Sequence, residues 1–130
     1  MVNRYLLDTH TLIWWWTEPE KLSPKVIQAI SNPSSEVYVS SATIWEIATK
    51  YRKCKLTQVE GIFNHYVKLL EDDDFTALDI TLSHAAIAGL FSQQHQDPFD
   101  RMSAAQSILE NLTLISCDSA LSQFPVQIYW

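Results

Sequence analysis

Two aspartates in this chain stand where a carboxylate can act on a ligand. Asp8 follows the apolar run Tyr5-Leu6-Leu7, at the carboxyl end of a predicted first strand, and Asp118 follows the run Leu112 to Ser116 after a single Cys117. Taken singly, each is explained as a cap, Asp8 for a helix beginning near Thr9 to Thr11 and Asp118 for a short turn through Ser119 and Ala120. Taken together, two acids at the ends of strands in a parallel sheet point into the same crevice. In Asp97-Pro98-Phe99-Asp100-Arg101, Asp97 suits a helix N-cap ahead of Pro98 at the first helical position. Asp100 falls at the third, where the helix terminus already favours negative charge. Capping alone accounts for both; we assign Asp97 to the cap and Asp100 to the chemistry, a division the spacing permits without forcing.

Other acids read differently. Glu46 lies in mid-helix, off the apolar stripe and four residues before Lys50, so periodicity favours a solvated surface pair contributing about 0.2–0.5 kcal/mol. The run Glu71 to Asp74 is the densest acidic patch, but carboxylates at a helix C-terminus oppose the macrodipole. That run reads as a helix stop and a solvated loop. His10, His65, His84 and His95 show no i, i+4 metal pairing and read as core or surface residues. Cys54 and Cys117 form no C-x-x-C and read as two reduced, partly buried thiols.

These residues need a scaffold, and the chain supplies alternating strand and helix signals. Strands are predicted at Arg4 to Leu7, Val37 to Ser40, Phe75 to Ile80, Leu112 to Ser116 and Gln127 to Trp130. A helix capped by Ser23 opens at Pro24 and carries Val26, Ile27 and Ile30 until Asn32 and Pro33 stop it. Ser40 or Ser41 caps a second, with Ile44, Ile47, Ala48 and Tyr51 on one face. A third runs from about Gln58 to Leu70 with Ile62, Phe63, Tyr66 and Leu70 inward. A fourth follows Thr81 with Ala85, Ile87, Ala88 and Phe91, and a fifth starts at Asp97 and Pro98 with Met102, Ala105, Ile108 and Leu109. The triplet Trp14 to Trp16 reads as helix packing with one exposed ring, which could mark a partner interface. Strand alternating with helix implies right-handed βαβ units and a mostly parallel sheet covered on both faces, with the site at the carboxyl ends of the strands.

Composition limits the function. The 130 residues fit one domain, 1–130, and 47% hydrophobic content is too apolar for disorder. Only two glycines, Gly61 and Gly89, occur, far apart, so neither a P-loop nor a dinucleotide fingerprint is present. The apolar stretch Tyr5 to Trp16 is broken by Asp8 and His10 and has no cleavage site. It reads as neither signal peptide nor membrane span, and a cytoplasmic protein is expected. Fifteen Asp and Glu against nine Lys and Arg give a net charge of −6. That balance argues against bulk attraction to nucleic acid, but it is also what carboxylates gathered around cations would produce.

Four segments in order, Leu6-Leu7-Asp8-Thr9-His10, Ser41-Ala42-Thr43-Ile44-Trp45-Glu46-Ile47, Asp97-Pro98-Phe99-Asp100-Arg101 and Leu112-Thr113-Leu114-Ile115-Ser116-Cys117-Asp118, together resemble the PIN-domain ribonucleases of the VapC toxin type. The resemblance covers essentially the whole chain, including Glu20-Lys21-Leu22-Ser23-Pro24. It departs at Met102-Ser103, where an aliphatic pair is more usual. It implies a three-layer α/β/α sandwich around a parallel sheet and a metal-dependent endoribonuclease. The acidic set then falls on Asp8, Glu46, Asp100 and Asp118, with Thr9 and Ser116 as accompanying hydroxyls. It further implies a cognate antitoxin whose C-terminal segment obstructs the site, and a homodimer.

The chemistry of such a set follows from electrostatics. Carboxylates that converge within a few ångströms repel strongly and are stable as anions only with a cation among them. Oxygen-only ligands suit Mg²⁺ or Mn²⁺. Asp8 and Asp118 are then the principal ligands, Asp100 a ligand directly or through water, and Glu46 the residue that orients or deprotonates the attacking water. A phosphatase of the haloacid-dehalogenase type needs a second Asp where His10 stands, and it or a receiver domain needs a late lysine, whereas no lysine follows Lys68. The rival from another class is a non-catalytic PIN-like domain that binds protein or RNA. Lys50, Arg52, Lys53 and Lys55 cluster at the end of the helix bearing Glu46, either as complements to the helix dipole or, with Arg4 or Arg101, as a rim for RNA phosphates.

Overall fold

The computed structural model describes residues 2–53 and 60–130. Its strands are β1 (Arg4–Leu7), β2 (Glu36–Ser40), β3 (Thr76–Leu78), β4 (Thr113–Ile115) and β5 (Ile128–Tyr129). Its helices are α1 (Thr9–Thr17), α2 (Pro24–Ser31), α3 (Ser41–Arg52), α4 (Glu60–Asp72), α5 (Leu82–Leu90) and α6 (Pro98–Glu110). All strand pairings are parallel, in the order β3-β2-β1-β4-β5. The central β1 pairs with β2 on one side and β4 on the other, so the chain changes direction between β1 and β4. Ligands bind at such a switch point in open α/β sheets.

Alternation along β1 sends its side chains to two cores. Tyr5 and Leu7 face a cluster with Leu12, Ile13, Val26, Ile30, Ile47 and Ile62, contributed by α1 to α4. Leu6 joins Leu114, Ala104, Leu121 and Phe124 on the opposite face, under α6. The three layers follow directly from that alternation.

Of the strands that start later than the apolar runs suggest, β3 and β4 do so for one shared reason. Asp74 and Asn111 take left-handed backbone with φ of 59° and 56°. Beyond them Phe75 N donates to Leu70 O and Leu112 N to Ser107 O, both at 2.9 Å, which closes α4 and α6 in Schellman fashion. Phe75 and Leu112 are therefore spent on helix caps, and pairing begins one residue on.

The helix caps Ser23, Ser40, Thr81 and Asp97 form as the sequence indicates. Several inward assignments do not hold. On α5 His84 and Ala88 are buried, while Ala85 is exposed, because His84 turns inward to complete a capping box with Thr81. Tyr66 on α4 and Leu109 on α6 are exposed, and Ala104 with Ala105 fills the α6 contact. The Trp14 to Trp16 triplet leaves no ring fully exposed: Trp14 packs edge-on against Trp130, and Trp15 and Trp16 donate their indole N–H groups to Asp73. Asp73 is thus a buttress inside the acidic run and not one of its solvated members. Cys117 is exposed rather than partly buried, with a free thiol. Cys54, Lys55 and the predicted helix start at Gln58 lie outside the described residues.

Candidate active site

Asp8 is 7% exposed. The ladder between β1 and β4 extends one residue beyond the strands, Asp8 N donating to Ile115 O at 3.1 Å, so the start of the acid is fastened to the end of β4. Thr11 donates its hydroxyl to the same carbonyl at 3.1 Å and its backbone N–H to Asp8 Oδ1 at 2.9 Å. Asp8 is therefore the N-cap of α1, as its position after the strand suggests. Burial pushes its carboxyl above the ordinary aspartate range, and hydrogen bonds from Ser116 and Thr11 and the charge of His10 oppose that shift.

The β4 end supplies the second acid. Ser116 is buried, and its Oγ accepts from Asp118 N at 3.0 Å. Asp118 Oδ1 in turn accepts from Ala120 N at 2.9 Å, capping a 3₁₀ turn at Ser119–Gln123, and its side chain opens to solvent. Cys117 lies between the two strand-end acids: desolvation raises its thiol, and the charges of Asp8 and Asp118 raise it further.

Asp97 accepts from the backbone of Phe99 at 2.9 Å and of Asp100 at 3.1 Å, which opens α6. Asp100 Oδ2 is 2.7 Å from His95 Nε2. Desolvation raises the Asp100 carboxyl; His95 opposes that, and the charges of Asp97 and Asp118 add to it. Asp100 and Asp118 thus feel each other, although they arise from different elements. No sequence spacing announces the His95 contact, because the two residues meet through a loop and not along a helix.

Glu46 overturns the reading from periodicity. The pair with Lys50 does form, with Nζ 2.8 Å from Glu46 Oε2, but Glu46 is only 6% exposed. Its other oxygen accepts the hydroxyl of Thr9, the residue next to Asp8. The pair is therefore an inward one at the same edge as Asp8, because α3 starts directly from the end of β2 and packs against both α1 and α6.

Two of the cations proposed as an RNA rim are used up elsewhere. Arg101 donates to the carbonyls of Ala88, Gly89, Phe91, Gln93 and His95 at 2.7 to 3.3 Å, tying the end of α5 to the loop before α6. Arg4 donates to Glu110 O at 2.7 Å and lies 3.5 Å from Glu36, at the start of β1 and so at the opposite edge of the sheet. Arg101 is a scaffold residue, and so is Arg4. Lys50 is engaged by Glu46, which leaves Arg52 and Lys53, both exposed, from that group within the described residues.

The profile of the PIN domain family matches residues 5–126. The chain belongs to the PIN domain family. Over 116 residues, 89% of this chain and 88% of the relative, it is 28% identical to Ribonuclease VapC22 of Mycobacterium tuberculosis. Two solved structures share the PIN fold over 99% of this chain and 98% of the matched chain. One is VapBC2 from Rickettsia felis bound to a DNA fragment from its promoter (TM-score 0.66, 17% identity), the other DNA-bound VapBC from Salmonella typhimurium (TM-score 0.63, 20% identity).

Among the described residues of this PIN domain, no three His, Cys, Asp or Glu side chains stand close enough together to clasp an ion. The donor chemistry nevertheless fits a hard divalent cation. Asp8 is a desolvated carboxylate held by hydrogen bonds, Asp100 on α6 is a second desolvated carboxylate, and Asp118 beyond β4 is a further oxygen donor. A cation would offset the desolvation that raises Asp8 and Asp100.

Proposed function

We propose that this PIN domain protein is a divalent-metal-dependent endoribonuclease of the cytoplasm, a single domain over residues 1–130, acting as the toxin of a toxin–antitoxin pair and working as a homodimer. The observation that carries the catalytic part is Asp8: a buried carboxylate, raised by desolvation, placed at the switch point of a parallel sheet. The names of the relatives, a ribonuclease and VapBC complexes, support the substrate class and the antitoxin partner.

Asp8, Asp100 and Asp118 would hold Mg²⁺ or Mn²⁺. A bound ion supplies charge neutralisation at the scissile phosphate and a lowered pKa for water. The chain's own contribution is positional. Thr11 and the β4 carbonyl of Ile115 fix Asp8; Ser116 fixes the backbone of Asp118; Asp97 opens the helix turn that presents Asp100; and Thr9 with Lys50 holds Glu46 within the edge. Glu46 would orient or deprotonate the attacking water.

The test is cleavage of a panel of RNAs with Mg²⁺ or Mn²⁺, with EDTA and Asp8→Asn as controls. Cleavage that requires the metal and disappears in D8N supports the reading. Full activity of D8N overturns the site, and absence of cleavage on every RNA favours a binding domain.

A further inference from the structure

Trp45 is the tryptophan the fold leaves uncovered, 61% exposed, while the Trp14 to Trp16 triplet finds partners within the core layers. It occupies the position before Glu46, and its ring meets Phe99, the position before Asp100, edge to face at 4.9 Å between centroids. The ring pair therefore bridges α3 and the first turn of α6, the two helices that bring Glu46 and Asp100 to the site. The core packing gives no reason for an indole there, since α3 is already anchored by Ala42, Thr43 and Ile47.

The surroundings of the ring discriminate between occupants. On the same face of α3, Ser41 precedes Trp45 by four residues and is exposed. Arg52 follows by seven, two helical turns or about 10 Å away, and is also exposed. Ser41 spends its hydroxyl on Leu78 O and Asp79 Oδ1, which leaves Arg52 as the polar group facing a ring that has Phe99 as its aromatic partner among the described residues. Such a face need not belong to a protein–protein interface core. It does suit a nucleotide, with the base stacked on the ring and a neighbouring phosphate on the arginine. The charge balance makes such a contact necessary. With Arg4 and Arg101 consumed by carbonyls and a net charge of −6, attraction to phosphate is a weak source of affinity. Stacking does not depend on charge and acts on any unpaired base.

We propose that Trp45, steadied by Phe99, is a base-stacking subsite for single-stranded RNA, holding a nucleobase beside the scissile phosphate. This rests on the ribonuclease reading and extends it: the substrate is unpaired at that position, and the subsite recognises a base face with little preference among bases.

Binding of a labelled single-stranded RNA of about ten nucleotides, within the span of one single-strand site, tests it. The measurement is made in EDTA on wild type, Trp45→Leu and Trp45→Phe, and repeated on a ribose–phosphate chain of equal length without bases. W45L is expected to weaken binding to the intact RNA by roughly 5- to 100-fold, the scale of one lost base stack, and W45F by about 3-fold or less. The salt dependence should be unchanged, and the chain without bases should bind wild type and W45L equally. Equal binding of intact RNA by W45L and wild type overturns the subsite. So does an equal loss on the chain without bases, or a loss accompanied by dissociation of an oligomer, which would make the ring a protein contact. If wild type neither binds nor cuts RNA, the ribonuclease reading falls with it; if wild type cuts RNA while W45L binds normally, only the subsite falls.

Discussion

Glu71, Asp72, Asp73 and Asp74 crowd into one helix end, whereas Asp8, Glu46, Asp100 and Asp118 arrive from four separate elements. In the first group the acids find local employment. Asp72 lies 3.3 Å from Lys68, Asp73 receives two indole N–H groups at 2.8 and 3.1 Å, and Asp74 supplies the left-handed turn that ends α4. In the second group Asp8 and Asp100 are both pushed up by desolvation beyond what their hydrogen bonds offset. The contiguous acids here stabilise the fold, whereas Asp8 and Asp100 are held against a desolvation cost. Strain of this kind collects at functional sites.

The sharpest way to break this contrast is to neutralise one acid from each group. Asp8→Asn should reduce RNA cleavage by roughly 100-fold or more, the scale of losing one preorganised contact at developing charge. Asp73→Ala should leave cleavage per folded molecule unchanged while lowering stability by about 1–3 kcal/mol in urea unfolding, since two buried-side indole donors lose their acceptor. A smaller effect of the opposite kind accompanies D8N. Because its folded carboxyl lies above the ordinary value of 3.8, the folded chain binds more protons than the unfolded chain just above that pH. Stability of the metal-free protein therefore falls as pH rises through that interval. D8N should flatten that fall and melt higher than wild type at neutral pH; a steeper fall or a lower melting temperature would contradict the assignment.

Arg101→Lys sharpens the contrast on the cationic side. Losing a planar fork that satisfies five carbonyls should cost about 1–3 kcal/mol of stability. The slope of RNA affinity against salt should not change. The smallest effect is expected from Arg52→Gln with Lys53→Gln: a decrease in that slope by about 1–2, with stability nearly unaffected.

What the sequence made readable followed from local rules. Alternating strands and capped helices gave the three-layer parallel sheet, and the positions of Asp8 and Asp118 after strand-like runs placed them at one edge. Asp97 was legible as a cap for the same reason, since a cap needs only its own helix. Glu46 was not, because its burial depends on α3 leaning against α1 and α6, which no periodicity within α3 encodes. The resemblance to PIN-domain ribonucleases pointed to Glu46 where periodicity did not. The partners of His95 and Arg101 were not legible for a related reason: they lie across a loop, and spacing carries no signal for such contacts. Trp15 and Trp16 hid their meeting with Asp73 because the residues are far apart along the chain.

The central claim is that the dispersed acids, and not the contiguous ones, form the cation site. Calorimetric titration of Mn²⁺ into wild type, D8N and Asp73→Asn tests it without relying on catalysis. The account predicts binding by wild type and by D73N with equal affinity, and loss of that binding in D8N. Retention of Mn²⁺ by D8N together with its loss in D73N would contradict it.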